Sequence, residues 1–420
     1  MSEATGAGPT DSALALDPAR LVELLVGDGT IAASEATDCR RLVAALRAHF
    51  HHELLAVKER VRHAWEQLEG QDGHAVAASD DQRVLARDLQ GTLRRLLQRA
   101  NFTPLPVEEL AEAMRRNAAF GLRIELDLAD FEELSAWRRA EVSVPHVEKR
   151  WFGLSSRRTT LLRLDRFCLY ARFKGAARFA DSRRLDGKIG ARPGGITLRL
   201  YRDVPKHDVE ALFPGVRVRM RPFDQALLGV PAAAGALQML NLKLVASVYA
   251  VGLAILVFLG VRKDEPEVTA RALTECAGLA VLVTFLFRQW ARFLGRKNLL
   301  HRQLAEHLQT CTMDSGVGVL LHLLDEAELQ ETTETLLGYA LLRRAQPAGA
   351  IDANALDRQV ERWLADRLGR RVDFEEEDAV AKLLRLGLAT RAGGGTLTAV
   401  APAAAIAALE ARWRQLFHGR

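Results

Sequence analysis

Cysteine is scarce and unpaired. Cys39, Cys168, Cys276 and Cys311 stand alone, and no two of them form a C-x-x-C pair. That pattern gives no basis for a structural zinc site or a disulfide framework. The nucleotide and hydrolase signatures that spacing alone can reveal are missing too: there is no G-x-x-x-x-G-K-[ST], G-x-G-x-x-G, H-E-x-x-H or G-x-S-x-G. Lysine is rare, with nine among the 58 basic residues. With the Ala-rich runs, this scarcity points to a GC-rich bacterial genome. Met1–Pro18 carries Glu3, Asp11 and Asp17, has no Lys or Arg, and lacks a long apolar run. Secretory and mitochondrial leaders need the opposite charge, so no leader is expected there.

What is present is a chain long enough for two or three cored domains, at 420 residues with 49% hydrophobic and 26% charged. Its formal net charge of +5 hides a segregation. Residues 138–221 carry 21 Lys/Arg against 8 Asp/Glu, and residues 314–378 carry 7 against 15. A basic block of this kind suits anionic headgroups, at roughly 1 kcal/mol per basic residue near a surface, or a solvated face. Nucleic acid is the weakest of the three uses, and no nucleic-acid partner is expected.

The run Leu244–Val261 (LVASVYAVGLAILVFLGV) holds eighteen residues without a charge, between Lys243 and Arg262-Lys263. As a helix it would reach about 27 Å, near the thickness of a bilayer's hydrocarbon core. Ala272–Phe287 is shorter and contains Glu275, with Trp290 beyond it. The ten-residue polar connection would force two such helices to be antiparallel. The expectation is therefore a transmembrane hairpin, the alternative being one span plus a helix lying on the interface. Arg217, Arg219, Arg221 and Lys243 precede it, and Arg288 and Arg292 are among the cations that follow. These six are the candidate membrane-surface residues, and the positive-inside rule would put both flanks in the cytoplasm of a bacterial inner-membrane protein. Glu275 is the candidate pore residue, or else a snorkelling interfacial acid.

Before the hairpin, apolar residues from Leu42 to Trp65 recur at three- and four-residue steps and predict one long helix over Asp38–Gly70. Further helices are expected near Asp81–Ala100 and Val107–Asn117. Alternation from Leu122 onward then predicts antiparallel strands at Leu122–Leu128, Glu141–Val147, Thr159–Phe173, Ile196–Tyr201 and Val216–Met220. After the hairpin, Val317–Arg344 reads as a long amphipathic helix. Asp352 caps a helix to Leu368, Phe374–Leu386 forms another, and two short strands flank Gly393-Gly394-Gly395 before a last helix at Ala403–Phe417. Helix, helix, helix, hairpin, helix is a winged-helix order. Four consecutive acids, Glu375-Glu376-Glu377-Asp378, open the helix before the wing and would repel phosphates. The module is therefore read as a protein-contact or packing unit. The acidic run Asp325, Glu326, Glu328, Glu331 and Glu334 reads as a solvated or partner-facing stripe, and His49, His52 and Glu53 as a helix face without a second set of metal ligands.

Several of these segments together resemble an uncharacterised family that contains transmembrane protein 143. They are Tyr201–Asp224, with Pro205, Asp208, Glu210 and Pro214 matching and Asp203 where Asn is usual; Ala100-Asn101-Phe102; Arg288-Gln289-Trp290; Leu324–Tyr339; and Val372–Leu388, with Asp373, Phe374, Glu375, Asp378, Ala379, Lys382 and Leu383. The resemblance runs over roughly residues 39–400. It departs near Gln309–Cys311, where aromatics are usual, and at Thr333, near which a Lys is usual. It implies a two-span topology and brings no reaction, substrate or catalytic residue.

Taken together, the sequence suggests an α+β membrane protein. Its segments are an N-terminal tail (1–37), a helical region (38–120), a basic antiparallel-sheet lobe (121–230), the transmembrane hairpin (240–294) and an acidic winged-helix-like lobe (295–420). The leading functional reading is a non-enzymatic, membrane-anchored scaffold or adaptor without cofactor or metal. Its partners would be the lipid bilayer with its anionic headgroups, a second copy of itself or another protein. The alternatives are a channel or transport component whose hairpins line a pore and, less well supported, a membrane-bound hydrolase.

Overall fold

The computed structural model describes residues 14, 16–69, 80–106, 122–150, 155–180, 188–190, 192–206, 209, 212–220, 309–346, 349–369 and 372–418, together with positions 252, 255, 284, 287, 288, 291 and 295. The chain divides into two compact units. The first comprises Met1–Ala113, Asp127–Gly215 and Cys311–Arg420, and the second Met114–Leu126 and Val216–Thr310.

The first unit opens with α1 (Pro18–Gly27), whose first amides are capped by the Asp17 carboxylate. The long helix α2 spans Ala36–Glu69 and α3 spans Asp80–Arg99. Strand β1 (Thr103–Leu105) follows. In the second unit, β2 (Leu122–Glu125) pairs antiparallel with β7 (Val216–Met220), Leu122 opposite Met220. Between them in sequence lie β3 (Phe131–Arg150), β4 (Ser155–Phe173), the short β5 (Lys188–Ile189) and β6 (Ile196–Pro205). β8 (Thr312–Ser315) completes a five-stranded antiparallel sheet in the order β1-β3-β4-β6-β8. The remaining helices are α4 (Val317–Ala345), α5 (Ala353–Leu368), α6 (Glu376–Arg385) and α7 (Pro402–His418), with the β9 (Ala389–Arg391) and β10 (Leu397–Ala399) hairpin before the last. Ile351 bridges to Leu397, so the hairpin has a third, single-residue neighbour.

Helix α4 organises the unit. Its 29 residues give it a length of about 44 Å at 1.5 Å per residue. The N-terminal half buries Val319, Leu320, Leu323, Leu324 and Ala327 in one apolar core with α2, α3 and the Trp137, Cys168, Tyr170, Leu198 and Leu200 face of the sheet. The C-terminal half buries Leu336, Leu337 and Tyr339–Leu342 in a second core with α1, the start of α2, and α5, α6 and α7. Between the two lies a buried polar band, Gln330–Thr335. Residues 330–342 are all buried, so α4 is covered on every side there rather than amphipathic. The expected solvated acidic stripe is corrected at Glu331 and Glu334, which are buried, whereas Asp325 is exposed. Heptad-like spacing locates a face on a helix but not what covers it.

The transmembrane part of the expected fold does not stand. Among the described residues no helix is long and apolar enough to cross a membrane. The described helices of eighteen residues or more are α2, α3 and α4. Charged or strongly polar side chains recur through each of them, at a cost in hydrocarbon of several kcal/mol. The apolar runs Leu244–Val261 and Ala272–Phe287 lie outside the described residues, apart from the helical positions Gly252, Ile255, Thr284 and Phe287. A transmembrane hairpin, a multi-pass topology and an inner-membrane location are therefore not supported. The expected helix at Val107–Asn117 also lies outside the described residues.

Candidate functional site

A cavity of about 500 Å³ opens at the polar band of α4. Its walls come from α2 (Glu53), the end of α3 and the turn after it (Gln98, Arg99, Asn101), α4 (Glu331, Glu334) and α6 with its preceding residue (Glu375, Asp378, Lys382, Arg385). Local chemistry places each group. Asn101 follows α3 with φ +55°, in the left-handed region that Asn tolerates better than most residues. In this position its side-chain amide donates to Glu334 Oε1 at 2.8 Å. Gln330, one turn earlier on α4, donates to the same oxygen at 2.8 Å and accepts from the Leu14 amide.

Lys382 is the centre of the arrangement. It lies on the apolar side of α6 among Ala379, Val380 and Leu383, and is 6% exposed. Its Nζ donates to Glu334 Oε2 at 3.0 Å and lies 2.5 Å from both Asp378 Oδ2 and Glu331 Oε2. Burial works against the ammonium, but Glu334, Glu331 and Asp378 outweigh it and hold the Lys382 pKa above that of an ordinary lysine. Glu331 accepts in turn from Arg99 Nε at 2.6 Å, and Arg99 reaches Glu53 at 3.4 Å. Glu53 also accepts from Arg385. His49, whose Nε2 stands 3.7 Å away, and Arg385 lower the Glu53 pKa to about 2, against the opposing effect of burial. Glu375, at the mouth, has its pKa raised by burial and by the nearby charges of Glu334 and Asp378.

Five carboxylates and three cations thus line one space, and four helices supply them. Glu331, Glu334 and Asp378 bring oxygens within 4.8 Å of one another, a spacing compatible with a divalent ion. In this structure the Lys382 ammonium occupies that position. As a catalytic group Lys382 would need its neutral form, which its surroundings suppress. Two of the described thiols, Cys39 and Cys168, are equally subdued. Burial pushes Cys39 up to about 11, and burial with the Glu326 charge pushes Cys168 higher still.

A second charged cluster fastens the sheet to α4. Glu326 faces Arg139 at 3.1 Å and Arg166 at 3.3 Å, both from the sheet, and His322 at 3.4 Å. His322 also contacts Asp314 of β8 at 3.1 Å. Glu326 raises the His322 pKa, against the opposing effect of burial. Basic strands and the acidic helix therefore meet within one chain.

None of the residues expected at a membrane surface is among the described residues that line the cavity. Arg217 and Arg219 lie on β7 in the second unit, and Arg288 is an exposed helical position. Arg221, Lys243, Glu275 and Arg292 lie outside the described residues. The histidine face separates as well: His49 turns to Glu53, whereas His52 packs edge-on against Trp413 of α7. Three segments singled out in the sequence do converge on the cavity, through Asn101, through Glu331 and Glu334, and through Asp378 and Lys382. Arg99 carried no such signal, and Glu53 was singled out only in the helix face it shares with His49 and His52. Lys382 was singled out only as a position of the Val372–Leu388 resemblance, which carried no role for it.

The chain is a mixed helix-and-sheet protein built on a five-stranded antiparallel sheet. Residues 165–318 match a family described as "Protein of unknown function (DUF3754)". That match covers β4 from Asp165, β5, β6, β7, β8 and the first two residues of α4, and none of the cavity's side chains. It does not link the chain to the transmembrane protein 143-like family. No solved structure matches.

Proposed function

We propose that the chain is a non-enzymatic scaffold or adaptor, in which α4 is a rigid spine and the charged cavity is the lock that fastens the C-terminal helices to it. The observation that carries this reading is the state of Lys382: buried, protonated and held by three carboxylates from two helices. Breaking a buried pair of this kind costs more than the pair ever contributes, so such groups fix an arrangement. The helix before the β9–β10 hairpin supports the same reading. Leu383, Phe374 and Ala379 pack closely on Gly338 of α4, so that face of α6 is spent on the spine rather than left open to a ligand.

A scaffold works through stable association, with itself or with another protein. Native mass spectrometry of the full chain purified gently, across a range of salt, tests this. The expected result is a defined assembly larger than one chain. Monomer alone at every salt, with no co-purifying protein, would overturn the reading.

A further inference from the structure

Strand β8 is the last and shortest support of the spine. It has four residues and pairs, among the described residues, with β6 alone. The register is Arg199–Ser315, Leu200–Asp314 and Tyr201–Thr312, with a shift between the last two. An edge strand this short has few ladder bonds and opens readily. It is also the strand by which the chain re-enters the first unit, at Cys311.

Asp314 fastens this strand to α4. Cross-strand partners share a face, so Asp314 lies with Leu200 on the side that packs on the helix. A Cβ at Gly318 would stand 3.1 Å from Asp314 Oδ1, so the bare backbone there lets the carboxylate lie on the first turn of α4. Asp314 Oδ2 is 3.1 Å from His322 Nδ1, and His322 Nε2 is 3.4 Å from Glu326 Oε1. Both ring nitrogens thus face carboxylates. A neutral imidazole has one N–H and one lone pair, which would point at an anion; imidazolium alone suits both neighbours. Glu326 raises the His322 pKa and Asp314 adds to the rise, while burial and Arg166 oppose it.

The two acids do not depend on His322 equally. Glu326 has Arg139 at 3.1 Å and Arg166 at 3.3 Å whatever the charge on the imidazole. Asp165 shares those arginines, at 3.6 Å and 3.0 Å. Asp314, among the described residues, has its ion pair with His322 alone. On β6, Arg202 stands opposite Arg166, exposed and unpaired with Asp314, and Arg199 lies on the far face with Tyr201. From α2 the neighbour of the turn is Trp65, whose indole donates to Glu69. Loss of the imidazolium proton therefore strips the counter-charge from β8 and leaves Asp314 only the weak positive end of α4.

We propose that His322 is a proton-operated clasp between β8 and α4, closed as the imidazolium and opened by its deprotonation, with β8 as the element that loosens. This goes beyond the scaffold reading and does not depend on it. The clasp is fully closed below the ordinary histidine value and opens as the pH rises through the higher value that His322 has in the fold.

Hydrogen exchange of the full chain, read by mass spectrometry from about pH 5.5 to about pH 8.5, tests the clasp across the range where histidine titrates. Protection of Thr312–Ser315 is taken relative to Leu336–Leu342 of α4, which cancels the pH dependence of the exchange chemistry itself. This ratio should fall about twofold to fivefold with rising pH, the size of a part-exposed ion pair. His322→Gln and Asp314→Asn should each give a low ratio that no longer changes with pH. In the unaltered chain the His322 ring, followed by NMR, should titrate with the same midpoint as the ratio. A ratio that is flat in the unaltered chain, an equal fall in either variant, or a midpoint that departs from that of His322 overturns the proposal. The midpoint comparison needs no variant, so it decides even where a substitution prevents folding.

Discussion

Glu53 shows how much a single side chain can reveal about the cavity. Its pKa is held near 2 by His49 and Arg385, against about 4.5 for a free glutamate. A depressed carboxylate stabilises the fold only where the unfolded state is also ionised. Its contribution is therefore complete above roughly pH 5 and is lost as the pH falls through 4.5 toward 2. Urea unfolding between pH 6 and about 2 should show a falling midpoint, and Glu53→Gln should flatten that fall. Parallel curves for the two proteins would mean that Glu53 is not held as described. His322 has the opposite sign. Its pKa is raised, so the stability it lends is present below the ordinary histidine value and fades as the pH rises through its folded value.

At the level of elements, the junction between β8 and α4 decides how the spine leaves the sheet. Gly316 makes that turn with φ +60° and ψ −131°, a region that glycine alone occupies without strain. A Cβ there would sit 3.3 Å from Trp65 of α2, tighter than an ordinary contact. Gly316→Ala should lower stability by about 1–3 kcal/mol, read as a reduced denaturant midpoint with an unchanged slope. A neutral substitution would show that the turn relaxes freely. Asn101 is the matching device after α3, where a left-handed backbone delivers a buried amide to Glu334.

Local chemistry made most elements readable from the sequence. The Asp352 cap does accept a hydrogen bond from the Ala355 amide through its carboxylate, and Val216–Met220 is a strand with those bounds. The acidic run of α4 was misread because its partners are remote. Glu331 meets Arg99 across 232 positions, Glu334 meets Asn101 across 233, and Glu326 meets Arg139 across 187. Helical spacing puts these acids on one helix but says nothing of chains that return to cover it. The same limit applies to β3. Its first half, Phe131–Ala140, lacks clean alternation, because Glu133 and Arg139 are drawn inward by Tyr170 and Glu326.

On the scale of the whole molecule, α4 passes through two apolar cores and a charged waist between them. The N-terminal helices contribute to both cores, so neither the sheet nor the C-terminal helices can part from the spine without exposing apolar surface. The waist adds geometric selection, since Lys382 fits only where Glu331, Glu334 and Asp378 converge. A double-mutant cycle on Lys382→Met and Glu331→Gln, read by urea unfolding, tests this lock most directly. If the waist fastens α6 to α4, the single substitutions are each costly and their effects couple by about 1–3 kcal/mol. Strictly additive effects, within about 0.5 kcal/mol, would contradict it.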